Sequence, residues 1–207
     1  MPANNLDTTV FLTRLQADIA SGEEGAFTQL YAHFGKRLIQ FGMTLVRSRE
    51  IAEELVEDVF VKLWSARAEI TGISNITIYL YIAVKNKALN ALSKKARELV
   101  TAPFDFLDIP TDHFSPDPYE LLITSEMMGR VKEAVEALPP RCKMIFKLIR
   151  EDGLKYKEVA EILNISVNTI DAQMAIAVKK ICSTLHIDRQ GRPLFTPPVI
   201  PQNGSPE

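Results

Sequence analysis

The stretch from Tyr156 to Ile181, YKEVAEILNISVNTIDAQMAIAVKKI, constrains the fold more than any other part of the chain. It predicts a short helix, a turn at Asn164-Ile165-Ser166 and a longer second helix, the pattern of a helix-turn-helix. Ala160 is small where the two helices would cross closely. Asn164 is one of the few residue types that accept a left-handed turn conformation, Ile165 and Ile170 supply the apolar contacts between helices, and Ser166 is a good N-cap. On the second helix Ile170, Met174, Ala177, Ile181 and Leu185 share one face, so Thr169, Ala172, Gln173, Ile176 and Lys180 are expected to face away from it, toward a DNA major groove. Amide and hydroxyl groups suit base edges, which assigns readout to Asn168, Thr169 and Gln173, with Val167 beside them. Lys155, Lys157, Lys179 and Lys180, with Tyr156 at the start of the first helix, are candidates for the phosphate backbone. A plain amphipathic hairpin with solvated lysines is the alternative, and the order of small, turn-forming and apolar residues favours the DNA-binding form.

The remainder is also patterned as helix. From Ala26 to Glu98 apolar residues recur at helical spacing, with breaks at Arg47-Ser48 and Thr71-Gly72-Ile73-Ser74-Asn75, and no alternating strand pattern occurs. Three or four helices are expected there. Residues 99–124 carry Pro103, Pro110, Pro116 and Pro118 among Asp and Thr and read as a linker. A second helical block follows to about residue 186, with interruptions at Leu138-Pro139-Pro140 and Glu151-Asp152-Gly153. Residues 1–24 read as an N-terminal arm, and 187–207, rich in proline with little apolar periodicity, as a disordered tail. The fold class is therefore all-α: two small helical domains joined by a Pro-containing linker.

Two helices of the first block carry opposite chemistry. In EIAEELVEDVFVKLW the residues Ile51, Leu55, Val56, Val59 and Leu63 form the expected buried face, while Glu53, Glu57, Phe60 and Trp64 make a stripe of carboxylates and aromatics beside it. Such a stripe suits a basic protein partner, the rings giving buried area and the acids orientation and rate. The following helix, YLYIAVKNKALNALSKKAR, sets Tyr81, Ile82, Leu89 and Leu92 on an apolar face and Asn86, Lys87, Asn90 and Lys94 on a polar one, continued by Lys95 and Arg97. Lysines and amides mixed with Tyr79 and Tyr81 suit a nucleic-acid backbone with exposed bases to stack. A core edge and a solvated lysine face are the structural alternatives for the two stripes.

Composition narrows the function. A net charge of −2 confines any nucleic-acid surface to local patches. Cys142 and Cys182 lack metal or disulfide spacing and fit free thiols in a reducing cytosol. No signal peptide or membrane span is expected, which points to a cytoplasmic protein with no direct membrane insertion. There is no Gly-rich phosphate loop, metal cluster or nucleophile motif, and His33, His113 and His186 are scattered, so neither catalysis, nor a metal, nor a cofactor is expected.

In combination the segments resemble the extracytoplasmic-function (ECF) type of sigma factor in the sigma-70 family. FTQLYAHFGKRLIQFGMTLVRSREIAEELVEDVFVKLW and ISNITIYLYIAVKNKALNALSKKAR look like the two halves of region 2, and LPPRCKMIFKLIREDGLKYKEVAEILNISVNTI like region 4. The run V-K-N-K-A-L-N resembles versions common in Bacteroidetes. The resemblance implies region 2 over 25–98, binding core polymerase and the minus-ten element, and region 4 over 125–186, binding the minus-thirty-five element. It places Glu53, Glu54, Leu55, Glu57, Asp58, Phe60 and Trp64 against the β′ clamp helices of RNA polymerase, with the β subunit as a further contact. It sets Tyr79, Lys85, Asn86, Lys87, Asn90, Lys94 and Lys95 on the opened minus-ten strand. It also implies an anti-sigma partner, of a kind that a membrane can hold. Asp171, Gln173 and Ile176 stand where the family's recognition helix is commonly basic, and Asn90 where many relatives have Asp. Two other classes stay open at this point: a sigma-like module that sequesters an anti-sigma factor without starting transcription, and a helix-turn-helix repressor.

Overall fold

A computed structural model describes residues 5–98 and 125–185. The linker and tail inferred from the sequence, residues 99–124 and 187–207, lie outside the described residues. Within them the secondary structure is helical, without a strand.

The supposed N-terminal arm is largely a helix, α1 (Asn5–Ala20). Leu12, Leu15 and Ile19 at three-to-four-residue spacing are buried, which ties it to the first domain. Gln16, also buried, donates from Nε2 to the carbonyls of Ile70 at 2.8 Å and Ile73 at 2.9 Å. The expected arm and the first helical domain therefore form one folded unit. A hairpin follows of α2 (Glu24–Val46) and α3 (Arg49–Ser65). Arg47 takes the left-handed conformation at φ 58° and closes α2 through its N–H on Met43. Ser48 then caps α3 by accepting from the Ile51 N–H. The two helices approach closely where Gly42 meets Ala52, a Cβ on Gly42 falling 3.2 Å from that of Ala52. After a 3₁₀ turn (Arg67–Gly72), Asn75 accepts from Ile78 N–H and starts α4 (Ile76–Glu98).

The second domain comprises α5 (Ser125–Glu136), α6 (Pro140–Arg150), α7 (Tyr156–Leu163) and α8 (Val167–Leu185). Pro140 sits in the first turn of α6, where its missing N–H costs nothing. Gly153 turns the chain at φ 74°, and Asn164 adopts the left-handed geometry expected of it, φ 53° and ψ 51°. Ile170, Met174, Ala177 and Leu185 are buried and Ile181 partly so, as the helical spacing requires.

The two domains pack together. A single cluster of buried apolar residues runs from Phe41, Leu80 and Tyr81 of the first to Ile145, Leu148, Val159 and Ile162 of the second. Among the described residues no helix is long and apolar enough to cross a membrane.

Candidate polymerase and promoter interface

On α3 the stripe of acids and aromatics separates into two parts. Leu55 and Phe60 are core: Phe60 is 3% exposed, with its ring edge-on to Tyr31 at 4.9 Å and to Phe27 at 5.8 Å. Neither has surface to give a partner in this conformation, which corrects the expectation that Phe60 lies on the outer stripe. The cause is α2, whose Phe27 and Tyr31 rings pack edge-on against Phe60. Trp64 is half-buried against Phe27 at 4.9 Å, with the Arg67 guanidinium 5.0 Å from its ring centre. Glu54, Glu57 and Asp58 are exposed, and Glu53 is held by Arg49 at 2.7 Å. What remains outside is an acidic patch with the edge of one indole.

α4 is rotated relative to the face expected from its sequence. Leu80, Tyr81, Val84 and Ala88 are buried, whereas Ile82, Leu89 and Leu92 are only half-buried. Tyr81 is thus unavailable for stacking and Tyr79, 38% exposed, keeps that capacity alone. Asn86 and Asn90 are exposed and Lys85 half-buried; Lys94 and Lys95 continue the helix, but their side chains lie outside the described part. Between α3 and α4 runs an open groove of about 350 Å³, lined by Val59, Lys62, Tyr79, Ile82, Asn86 and Asn90 among others. Its lining is mostly apolar, with two amides, two lysines and a phenol among the residues around it. Lys87 among them is ion-paired to Asp58, so the acidic patch and the amide face touch along one seam. Residues so far apart in sequence gave no signal of this pair.

In the second domain Val167 and Asn168 are exposed at the start of α8, with Ala172, Ile176 and Lys180 following on the same side of the helix. Thr169 is half-buried, its hydroxyl bonded to that of Ser166 at 2.8 Å and its N–H capped by the same oxygen. Gln173 differs from expectation. It is half-buried, and its Oε1 accepts from the Cys142 thiol of α6 at 2.8 Å, which holds the side-chain carbonyl against the domain rather than out toward solvent. Burial pushes the Cys142 thiol up, so it stays protonated and keeps donating. Lys155 is exposed, with its backbone N–H held by Glu158 at 2.8 Å, while Tyr156 packs against the core. Asp171 is exposed beside the recognition positions.

Geometry thus defines a class: a two-domain helical protein, one domain carrying a helix-turn-helix and the other an acidic patch beside a groove rimmed by amides and lysines. Comparison with known proteins agrees. Residues 30–98 match the family model for Sigma-70 region 2, and residues 128–181 that for Sigma-70, region 4. The chain is 24% identical over 180 residues to the ECF RNA polymerase sigma-E factor of Escherichia coli strain K12, covering 83% of this chain and 91% of that protein. It is 21% identical over 175 residues to the RNA polymerase sigma-H factor of Pseudomonas aeruginosa, with 81% and 90% covered. Among solved structures, its fold is similar to the sigma factor RpoE in complex with the anti-sigma factor NepR from Bartonella quintana, at TM-score 0.56 and 23% identity over 78% of this chain and 98% of that one. It is also similar to CnrH in complex with the cytosolic domain of CnrY, at TM-score 0.51 and 22% identity over 84% and 96%. The chain belongs to the sigma-70 family and is a sigma factor of the ECF type, which directs promoter-specific initiation of transcription.

Proposed function

We propose that α3 and α4 divide the work of region 2 along the Asp58–Lys87 seam. The acidic patch of Glu53, Glu54, Glu57 and Asp58, with the edge of Trp64, docks on the clamp helices of the β′ subunit, where carboxylates steer a basic partner. The groove rimmed by Tyr79, Asn86, Lys87 and Asn90 receives bases of the opened minus-ten strand; its mostly apolar lining and the amides around it match the face and edges of an unstacked base. Region 4 sets the start of α8 at the minus-thirty-five element, with Val167, Asn168 and Thr169 toward base edges and Lys155 and Lys180 toward phosphates. The observation that carries this reading is the groove, which collects Tyr79, Asn86 and Asn90 on one side of α4.

The protein works in the cytoplasm and does no chemistry itself, supplying address and opening to a polymerase that makes the bonds. An anti-sigma factor holds it in reserve; both solved neighbours pair a protein of this fold with a second chain, one of them named an anti-sigma factor. Run-off transcription with core polymerase, alongside permanganate footprinting, tests the division of labour. Replacing Tyr79, Asn86 and Asn90 together by Ala should abolish opening while core binding stays within about twofold. Unchanged opening, or a loss of opening no larger than the loss of core binding, would refute the assignment. Lys87 is left in place because its removal would also strip Asp58 of its partner.

A further inference from the structure

The second helix of the helix-turn-helix turns an apolar face outward. Among the described side chains of the second domain, Val167 and Ile176 are the large apolar ones left exposed, at 36% and 42%, and both belong to α8. Ile176 continues a row at four-residue spacing with Asn168 and Ala172, all three exposed, on the side opposite the buried Ile170, Met174 and Ala177. Ala175, also exposed, widens the row.

Cations are missing from the same stretch. α8 has no arginine, and its first lysine is Lys179, about 18 Å along the axis from Val167 at 1.5 Å per residue. Arg or Lys on the O6 and N7 of guanine is the commonest specific contact in a major groove, and the first turns of a recognition helix are the ones that meet base edges. The charge those turns do carry is the exposed carboxylate of Asp171, which repels the acceptor edge of guanine. Two other polar groups are engaged within the domain: the Thr169 hydroxyl is bonded to that of Ser166 at 2.8 Å, and Oε1 of Gln173 accepts from Cys142 at 2.8 Å. Asn168 is exposed, and an amide of its kind pairs with the N6 and N7 of adenine. Thymine, the partner of adenine, presents in the same groove a C5 methyl that cytosine lacks.

We propose that Ala172 and Ile176 read thymine by contact with its C5 methyl, so that α8 selects A·T pairs through one amide and an apolar row in place of guanine readout by a cation. The proposal deepens the placement of α8 at the minus-thirty-five element and rests on it. A methyl taken out of water against the Ile176 side chain strengthens binding about fourfold. Ala172, with a single carbon to offer, contributes less. Lys179 and Lys180, one turn beyond Ile176, meet phosphate, which sets affinity without adding preference.

Deoxyuridine isolates the methyl, since it pairs as thymine does and lacks only the C5 group. Core polymerase carrying the full chain first selects its upstream element from randomised duplexes at fixed salt; single thymines of that element are then exchanged for deoxyuridine in competition binding. The parent should lose about three- to fivefold at one or two thymines. Cytosine there should bind more weakly still, and 5-methylcytosine should recover about fourfold of that loss. In Ile176→Ala and Ile176→Gln, thymine and deoxyuridine should bind alike at one of these positions, while circular dichroism melting stays with the parent because the side chain is exposed. If no thymine responds to deoxyuridine, or if Ile176→Ala keeps the full response, the methyl contact is overturned. Weaker core binding by Ile176→Ala with its deoxyuridine response unchanged would overturn it too and assign the face to a protein. An upstream element that can be randomised without effect on affinity would refute the placement of α8 and the methyl contact with it, whereas the other outcomes refute the methyl contact alone.

Discussion

Phe60 and Glu57 stand one turn apart on α3, yet the structure gives them opposite work, and exchanging each in turn separates packing from recognition. Phe60→Ala removes a ring that is 3% exposed and set edge-on between Phe27 and Tyr31. Truncating a buried Phe costs about 3–5 kcal/mol, against a whole-domain stability of roughly 5–15 kcal/mol. At about 4–8 °C per kcal/mol for a domain of this size, the melting temperature should fall by at least roughly 12 °C. Glu57 is exposed, and Glu57→Gln should stay within about 0.5 kcal/mol of the parent. Its effect belongs to kinetics: slower association with core polymerase at low salt, and a flatter salt dependence, because a steering charge has gone. Circular dichroism melting and surface plasmon resonance on the same three proteins supply the comparison. If Phe60→Ala melts with the parent, the ring is not part of the core and the division of the stripe is wrong. If Glu57→Gln associates like the parent at every salt concentration, the acidic patch is a solvated helix edge.

Two further outcomes follow from region 4. Glu136 is pushed up by burial, but its hydrogen bonds and ion pairs with Lys147, at 2.5 Å, and Lys143, at 3.2 Å, outweigh this and hold it down to about 2. Its contribution is complete above the unfolded value near 4.5 and is lost as pH falls toward 2, so melting of region 4 between pH 6 and 3 should drop less in Glu136→Gln than in the parent. Cys142→Ala frees Oε1 of Gln173, and promoter-variant selection should then show an altered preference at one or two minus-thirty-five positions, worth about 1–3 kcal/mol each for a bidentate contact; an unchanged preference would mean that the thiol does not set the amide's orientation.

The helix-turn-helix was legible almost residue by residue, because its geometry is local: Asn164 needed a left-handed turn and Ser166 a cap, and both conditions lie within a few residues. The faces of α3 and α4 were less so. Period alone placed Phe60 at the edge of the apolar stripe, and only the rings of Phe27 and Tyr31, about thirty residues upstream, decide that it is inside. For α4 the choice between a face centred on Leu80, Val84 and Ala88 and one centred on Ile82 and Leu89 depends on which neighbours exist, since the helix is apolar on both. The pairs Tyr81–Asp152, Lys87–Asp58 and Gln173–Cys142 join residues at least 29 positions apart, beyond the reach of any spacing rule. Residues 1–24 read as an arm although Leu12, Leu15 and Ile19 recur at helical spacing, because what buries that face is the region around Ile70 and Ile73, more than fifty residues on.

The side chain of Gln16 gives that first helix a bearing on how much of the chain's N-terminus can usefully be lost. Its single amide nitrogen spends both hydrogens on the carbonyls of Ile70 and Ile73, just ahead of the Asn75 cap that starts α4. A chain trimmed of α1 would retain every residue of the regions matched to the sigma-70 family, 30–98 and 128–181, yet would leave two acceptors without a donor at the root of the promoter helix. Proteolytic loss of the first helix would thus yield a product with the family's full signature and a loosened start to α4, impaired in opening DNA rather than in finding polymerase.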